Sequence, residues 1–200
     1  MEARGRGNLA ITRVLWYIAQ TCLQVGVLVF VFSLLVGRFE IHSVSMEPNL
    51  IDGQRVVVSK LDHLWPGALI GQAEASNGAV PSPFAPHRGQ MIVFNEGTDP
   101  HTSMVLVKRV VGLPGETVTI RGGRVFIDGH ALAESYLHGV ATDCSLYCGP
   151  LTLRPDQYFV MGDNRPDSWD SRSFGPISGS QIIGEVILRY WPLDQIQLYF

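Results

Sequence analysis

The chain has two lysines against thirteen arginines, and one of the two, Lys108, stands inside an otherwise apolar run, Met104-Val105-Leu106-Val107-Lys108-Arg109-Val110-Val111. If the run is a strand, its side chains alternate. Lys108 then points with Met104, Leu106 and Val110, while Arg109 points the other way with Val107 and Val111. An ammonium facing a core must be paired or lose its proton. Free lysine titrates near pH 10.4, and burial lowers that value by roughly 3 to 5 units. The neutral amine is then a general base, a role closed to arginine, which stays protonated. The same residue also fits a strand edge, with its ammonium snorkelling to solvent or holding a structural carboxylate.

An amine base needs a group to deprotonate. In Ile41-His42-Ser43-Val44-Ser45-Met46-Glu47-Pro48, Ser43 and Ser45 share a face if the segment is extended, and serine becomes nucleophilic only beside a base. Histidine has to be considered as that base, since six are present. Yet no G-x-S-x-G elbow surrounds any serine, and His63, His87, His101, His130 and His138 all fall in turn or loop contexts. Ser with Lys is the other pairing known for acyl transfer. A third cluster, Gly162-Asp163-Asn164-Arg165-Pro166-Asp167-Ser168-Trp169-Asp170-Ser171-Arg172, carries more specific polar groups than a turn needs. Asp170 and Arg172 are spaced to pair, and Ser168 can accept from or donate to an amine. Taken alone, the cluster also fits an Asx-turn with solvated charges.

Such clusters require a framework, and from Phe39 onward the pattern is β. Short runs rich in Val, Ile, Tyr and Phe predict strands at Arg55 to Ser59, Met91 to Phe94, Ser103 to Val111, Thr117 to Ile120, Val125 to Ile127, Tyr158 to Met161 and Glu185 to Trp191. Turn chemistry separates them: Asp52-Gly53, Pro114-Gly115, Gly122-Gly123, Asp128-Gly129 and Gly162-Asp163-Asn164. Gly122-Gly123 reads as a hairpin turn. Leu61 to His87, with four prolines, reads as a long mobile insertion. No internal repeat or heptad is present.

Two hundred residues allow one domain and a short appendage, and a formal net charge of −3 gives no polyanion-binding signature, so nucleic acid is not an expected partner. Val14 to Val36 carries no charged side chain. At about 1.5 Å rise per residue it is long enough for a hydrocarbon core of roughly 30 Å. The run exceeds a secretory signal and leads into Gly37-Arg38-Phe39-Glu40 rather than a small-x-small cleavage site, so it reads as an uncleaved anchor. The alternative is a buried helix of a soluble protein. Arg4, Arg6 and Arg13 against Glu2 place the N-terminus in the cytoplasm by the positive-inside rule. The expected division is a cytoplasmic segment 1–13, a transmembrane anchor 14–36 in contact with the lipid bilayer, and an all-β extracytoplasmic domain 39–200. Cys22 falls inside the anchor as a small apolar residue. Cys144 and Cys148 lie in a loop of a domain outside the cytoplasm, where a disulfide is expected, pinning a loop by roughly 2 kcal/mol. A zinc site would need further ligands at matching spacing, and none is nearby.

Taken in order, Ser43 to Pro48, Val107 to Glu116 and Gly162 to Arg172 resemble the three signature boxes of type I signal peptidases, membrane-anchored Ser-Lys proteases that release secreted proteins. The similarity continues in Arg88 to Phe94 and from Ile183 to Leu193, so it spans nearly all of the outer domain. The resemblance implies Ser45 as nucleophile, Lys108 as general base, Ser43 as an oxyanion donor beside the Ser45 backbone N–H, and Ser168 orienting the amine. It also implies that the Asp170/Arg172 pair, with Gly162, Asp163 and Asn164, supports the loop, and that Ile41 and Val107 line pockets for small substrate side chains. No metal or cofactor is implied. The expected substrates are signal-peptide-bearing pre-proteins at a bacterial inner membrane, cut after small-x-small sites, with the catalytic domain periplasmic. Asn49 and Gln90 depart from the family pattern, which usually has Thr and Asp there. A dedicated maturation peptidase of the same fold, or a tethered β-domain that only binds partners, are the competing readings.

Overall fold

The computed structural model describes residues 3–60, 86–97 and 104–199. Most of the expected insertion, 61–85, lies outside them, as do His63, His101 and Ser103. The chain forms two compact units, Met1–Gly37 and Arg38–Phe200. The first is a helix, α1 (Ala3–Leu35), so the uncharged run is helical up to Leu35 and Val36 opens a strand. Apolar side chains such as Trp16, Leu23, Leu28 and Phe30 are exposed on it. Among the described residues, no helix is long and apolar enough to cross a membrane.

The second unit is β, with twelve strands among the described residues, in chain order: β1 (Val36–Glu40), β2 (Arg55–Ser59), β3 (Met91–Glu96), β4 (Met104–Gly112), β5 (Thr117–Arg121), β6 (Arg124–Ile127), β7 (His130–Ala131), β8 (Leu151–Thr152), β9 (Gln157–Met161), β10 (Ile177–Ser178), β11 (Ile182–Trp191) and β12 (Gln197–Leu198). All seven strands read from the sequence form. The five additional strands are short, and four of them are two-residue ladders. Too brief to show alternation, they exist only because a neighbour pairs with them. The order β1-β2-β11-β3-β4-β9-β10 makes the large sheet, with β12 on β11, and β7-β6-β5-β8 makes the small one. Gly122 and Gly123, at φ 56° and 75°, close the β5–β6 hairpin, a pair of left-handed positions that glycine adopts without a Cβ penalty.

Three apolar clusters hold this together. Ile41, Met46, Leu50, Val56, Val58, Met91, Val93 and Val186 form one, with Val107 packed against it. Ile92, Phe94, Val110, Tyr158, Val160, Ile177 and Ile182 form the second, with Leu106 against it. Val107 and Leu106 therefore serve opposite faces of β4, as period-2 alternation requires. A third cluster around Val111, Val118, Val125, Phe159 and Met161 joins the small sheet to the end of β4.

One property of β4 matters for chemistry. It pairs with β3 from Met104 to Arg109, but with β9 only from Arg109 to Gly112. Between Met104 and Lys108, the edge away from β3 has no strand partner among the described residues.

Candidate active site

Lys108 is brought to Ser45 by the fold. The serine sits on a single 3-10 turn, Val44–Met46, reached directly from β1, and the lysine lies in the middle of β4. The extended geometry that would put Ser43 and Ser45 on one face is replaced by this turn. Ser43 caps it, and its Oγ accepts the Ser45 backbone N–H at 3.1 Å. Local side-chain bonding of this kind competes with the strand, which is why the alternation stops here. The turn buries Ser45 and Met46 and leaves Ser43 exposed.

The Lys108 Nζ donates to Ser45 Oγ at 2.5 Å, and the two residues are only 2% and 5% exposed. Among the described residues no carboxylate forms an ion pair with Lys108, so its amine has a hydroxyl for a partner and no counter-ion in contact. Burial pushes its pKa down from 10.5 to about 8. Asp170, Asp163 and Glu96 oppose the fall by charge at a distance, and Arg172 adds to it.

The loop after β9 fixes the serine from the other side. Asn164 donates its backbone N–H to the Ser45 carbonyl at 3.0 Å and its side-chain amide to the Val44 carbonyl at 3.1 Å. Asp170, fully buried, accepts from the Gly162 N–H at 3.0 Å and from Arg172 Nε and Nη2 at 2.9 and 2.8 Å. Although burial works against it, the Arg172 guanidinium and the Gly162 N–H hold the Asp170 carboxyl below the usual range. Arg172 is itself supported by the Cys144–Cys148 disulfide loop: its carbonyl accepts the N–H groups of Leu146 and Tyr147, and its Nη1 donates to the Asp143 carbonyl. Ser168 lies beside Gly162 with its Oγ buried and close enough to the Asp170 carboxyl to help hold it low, but among the described residues it makes no hydrogen bond to Lys108.

Three polar partners of this loop were not singled out by sequence reasoning. Arg109 binds both oxygens of Asp163, at 2.8 and 2.6 Å, and stacks over Tyr136. Asn49, known only as a departure from a pattern, donates to Asp163 Oδ2 at 2.8 Å and to the Tyr136 carbonyl. Arg165 pairs with Glu134 and donates to the Gly162 carbonyl. The alternation of β4 did carry a signal for Arg109, because a charged residue on a buried face needs an acid, and Asp163 was already in the loop. Gln90 lies just before β3, where its Oε1 accepts the His87 N–H.

A groove of about 430 Å³ opens beside Ser45, walled by Phe39 to Ser43 on one side and Met104 to Val107 on the other. Ile41 and Val107 both line it. The walls are two extended backbones, and one is the unpaired edge of β4. Such a slot accepts an extended peptide, with a buried amine and hydroxyl at one end able to perform acyl transfer.

The family described as signal peptidase, peptidase S26, matches residues 14–191. The signal peptidase I of Leptolyngbya laminosa is 34% identical over 162 residues, covering 78% of this chain and 69% of that protein. The probable signal peptidase I-2 of Synechocystis sp. is 31% identical over 180 residues, 88% of this chain and 71% of the relative. The signal peptidase I of Bacillus caldolyticus is 30% identical across 100% of this chain and 97% of its own length. A match that begins in the N-terminal helix and runs through to the end of β11 covers every element that positions Ser45 and Lys108, and the chain belongs to the signal peptidase family, peptidase S26.

Proposed function

We propose that this protein is a membrane-anchored serine endopeptidase that removes N-terminal signal peptides from exported pre-proteins, with Ser45 as nucleophile and Lys108 as general base. The observation that carries the reading is the 2.5 Å contact between a buried amine without a contacting carboxylate and a buried hydroxyl. In the first step, neutral Lys108 takes the Ser45 proton as Oγ attacks the scissile carbonyl. The resulting ammonium gives that proton to the leaving amine, and an ester joins the substrate acyl group to Ser45. Water then repeats the sequence, losing its proton to Lys108, and the acid product leaves Ser45 free.

The oxyanion formed in each addition lies near the Ser45 N–H. Rotation of the Ser43 hydroxyl away from that N–H leaves both as donors, and one preorganised donor contributes roughly 2.7 to 4 kcal/mol. The substrate adds as a strand to the free edge of β4, with its −1 and −3 side chains turned toward Ile41 and Val107. Ile41 and Val107 pack with Met46 and Val93, and this close packing behind the groove wall supports a preference for small side chains and hence for small-x-small sites.

The membrane anchor rests on the sequence and not on the described helix, which is not long and apolar enough to cross: the uncharged run Val14 to Val36, preceded by Arg4, Arg6 and Arg13, supports a single anchor with the N-terminus in the cytoplasm and the catalytic unit on the far side. The test is cleavage of a pre-protein by the detergent-solubilised full chain. Wild type is expected to release the mature protein, and Ser45→Ala and Lys108→Ala to lose at least a thousandfold in rate. Wild-type turnover by either variant would refute the assignment.

A further inference from the structure

Trp169 stands between Ser168, whose Oγ is buried, and the buried Asp170, yet it is itself 57% exposed. It is nevertheless held at two points. The ring N–H donates to Glu96 Oε1 at 2.8 Å, and the ring tilts against Phe174 with centroids 6.4 Å apart. Phe174 in turn packs on Phe94. In the β3–β4 register, Glu96 faces Met104 and Phe94 faces Leu106. The indole is thus pinned near the start of β4, on the Leu106 side of the sheet, by contacts that fix its orientation without covering it. A cavity of about 500 Å³ lies among Glu96, Met104, Phe174 and Ile177, the first and third of which the indole touches.

A peptide paired to the free edge of β4 must alternate. If its −1 and −3 side chains enter the Ile41 and Val107 side, its −2 and −4 side chains emerge on the Leu106 side. Position −4 lies three residues upstream of −1, roughly 10 Å along the strand at about 3.3 Å per residue, which brings it level with Val105 and Leu106. From these placements we propose that Trp169 forms a subsite for the substrate side chain four residues before the scissile bond and selects a large apolar residue there. The proposal rests on the peptidase reading above. It adds a second point of discrimination, on the opposite face of the bound strand from the small-residue pockets. The flat indole offers dispersion contact to an aliphatic or aromatic side chain, and because the N–H is already engaged by Glu96, a polar side chain gains nothing from it.

The experiment uses the full chain in detergent and two soluble peptides that span a cleavable small-x-small site and differ only at −4, Leu in one and Gly in the other. Wild type should favour the Leu peptide by about tenfold in kcat/KM, the size expected for one apolar contact. Trp169→Ala should bring that ratio close to one, and Trp169→Phe should keep most of it. The ratio is independent of how much enzyme is folded, so a partly unfolded variant still reports. A wild-type ratio near one, or a ratio unchanged in Trp169→Ala, would overturn the subsite. A Trp169→Ala defect seen only with vesicle-bound substrates and not in the peptide ratio would also overturn it, assigning the indole to membrane contact. Failure of wild type to cut either peptide would instead strike the peptidase reading itself.

Discussion

Lys108 carries an electrostatic cost, which its proposed role as a base would account for. Its pKa of about 8, against 10.5 in the open chain, means that the folded state binds fewer protons than the unfolded state between those values. Stability contributed by this residue therefore rises with pH from about 8 to 10.5, and below 8 the burial cost is fully present. The difference amounts to roughly 3 kcal/mol. Lys108→Met, similar in length and apolar, should accordingly raise the stability of the solubilised protein at pH 7, and the gain should shrink as the pH passes 8 and approaches 10.5. A gain that does not vary with pH, or a loss at pH 7, would contradict the burial argument. Activity should follow the same titration, rising as the amine loses its proton. About a tenth of the amine is neutral at pH 7, so kcat/KM should climb toward pH 9 with a midpoint near 8. At this scale the sequence was informative, since one lysine in an apolar alternation already stated the problem of a buried charge. It put Ser43 on one face with Ser45 in an extended segment and missed the turn that Ser43 caps, because whether a hydroxyl lies on a strand or caps a turn depends on local hydrogen bonds that no periodicity reveals.

The active site is held by a sequence of elements, each fixing the next. The disulfide loop holds Arg172, Arg172 holds Asp170, Asp170 holds the Gly162 N–H, and the loop beyond Gly162 holds the Ser45 carbonyl through Asn164. Gly162 is the tightest joint. A Cβ there would collide with Ser168 Oγ and with the Ser45 carbonyl oxygen, a backbone atom that cannot step aside without moving the proposed nucleophile. Gly162→Ala should therefore destabilise the protein by roughly 1 to 3 kcal/mol. It should lower kcat/KM by about a hundredfold, the effect of a displacement near 1 Å at a reacting centre. Pre-protein cleavage at wild-type rate by this variant would show that the close approach is unimportant. The Asp170/Arg172 pair was legible from spacing alone. Asp163 and Asn164 were legible only as loop residues, because their partners Arg109, Asn49 and the Ser45 carbonyl come from three distant segments and nothing in the local sequence announces them.

Across the whole molecule, the reading from sequence succeeded where a Val/Ile-rich run stood out and missed the two-residue strands together with β1, five residues whose Gly37-Arg38 interrupts the pattern. Strands β2 to β6, β9 and β11 each run four residues or more, and each appeared as a Val/Ile-rich run. β7, β8, β10 and β12 are two residues long and are created by their neighbours. The two-sheet arrangement was not legible at all. Nor was the departure of β4 from β9 at Arg109, which leaves the unpaired edge on which the proposed substrate binding depends. The same arrangement brings Ser45 and Lys108, 63 residues apart, to a single contact. That contact is tested most directly by acylation of Ser45 with a serine-directed penem in the full solubilised chain, read as a mass shift on the peptide containing Ser45. Wild type should be labelled at a rate that rises with pH about a midpoint near 8, and Lys108→Arg, whose guanidinium stays protonated, should remain unlabelled. Labelling of Lys108→Arg at the wild-type rate would contradict the lysine's role as the base.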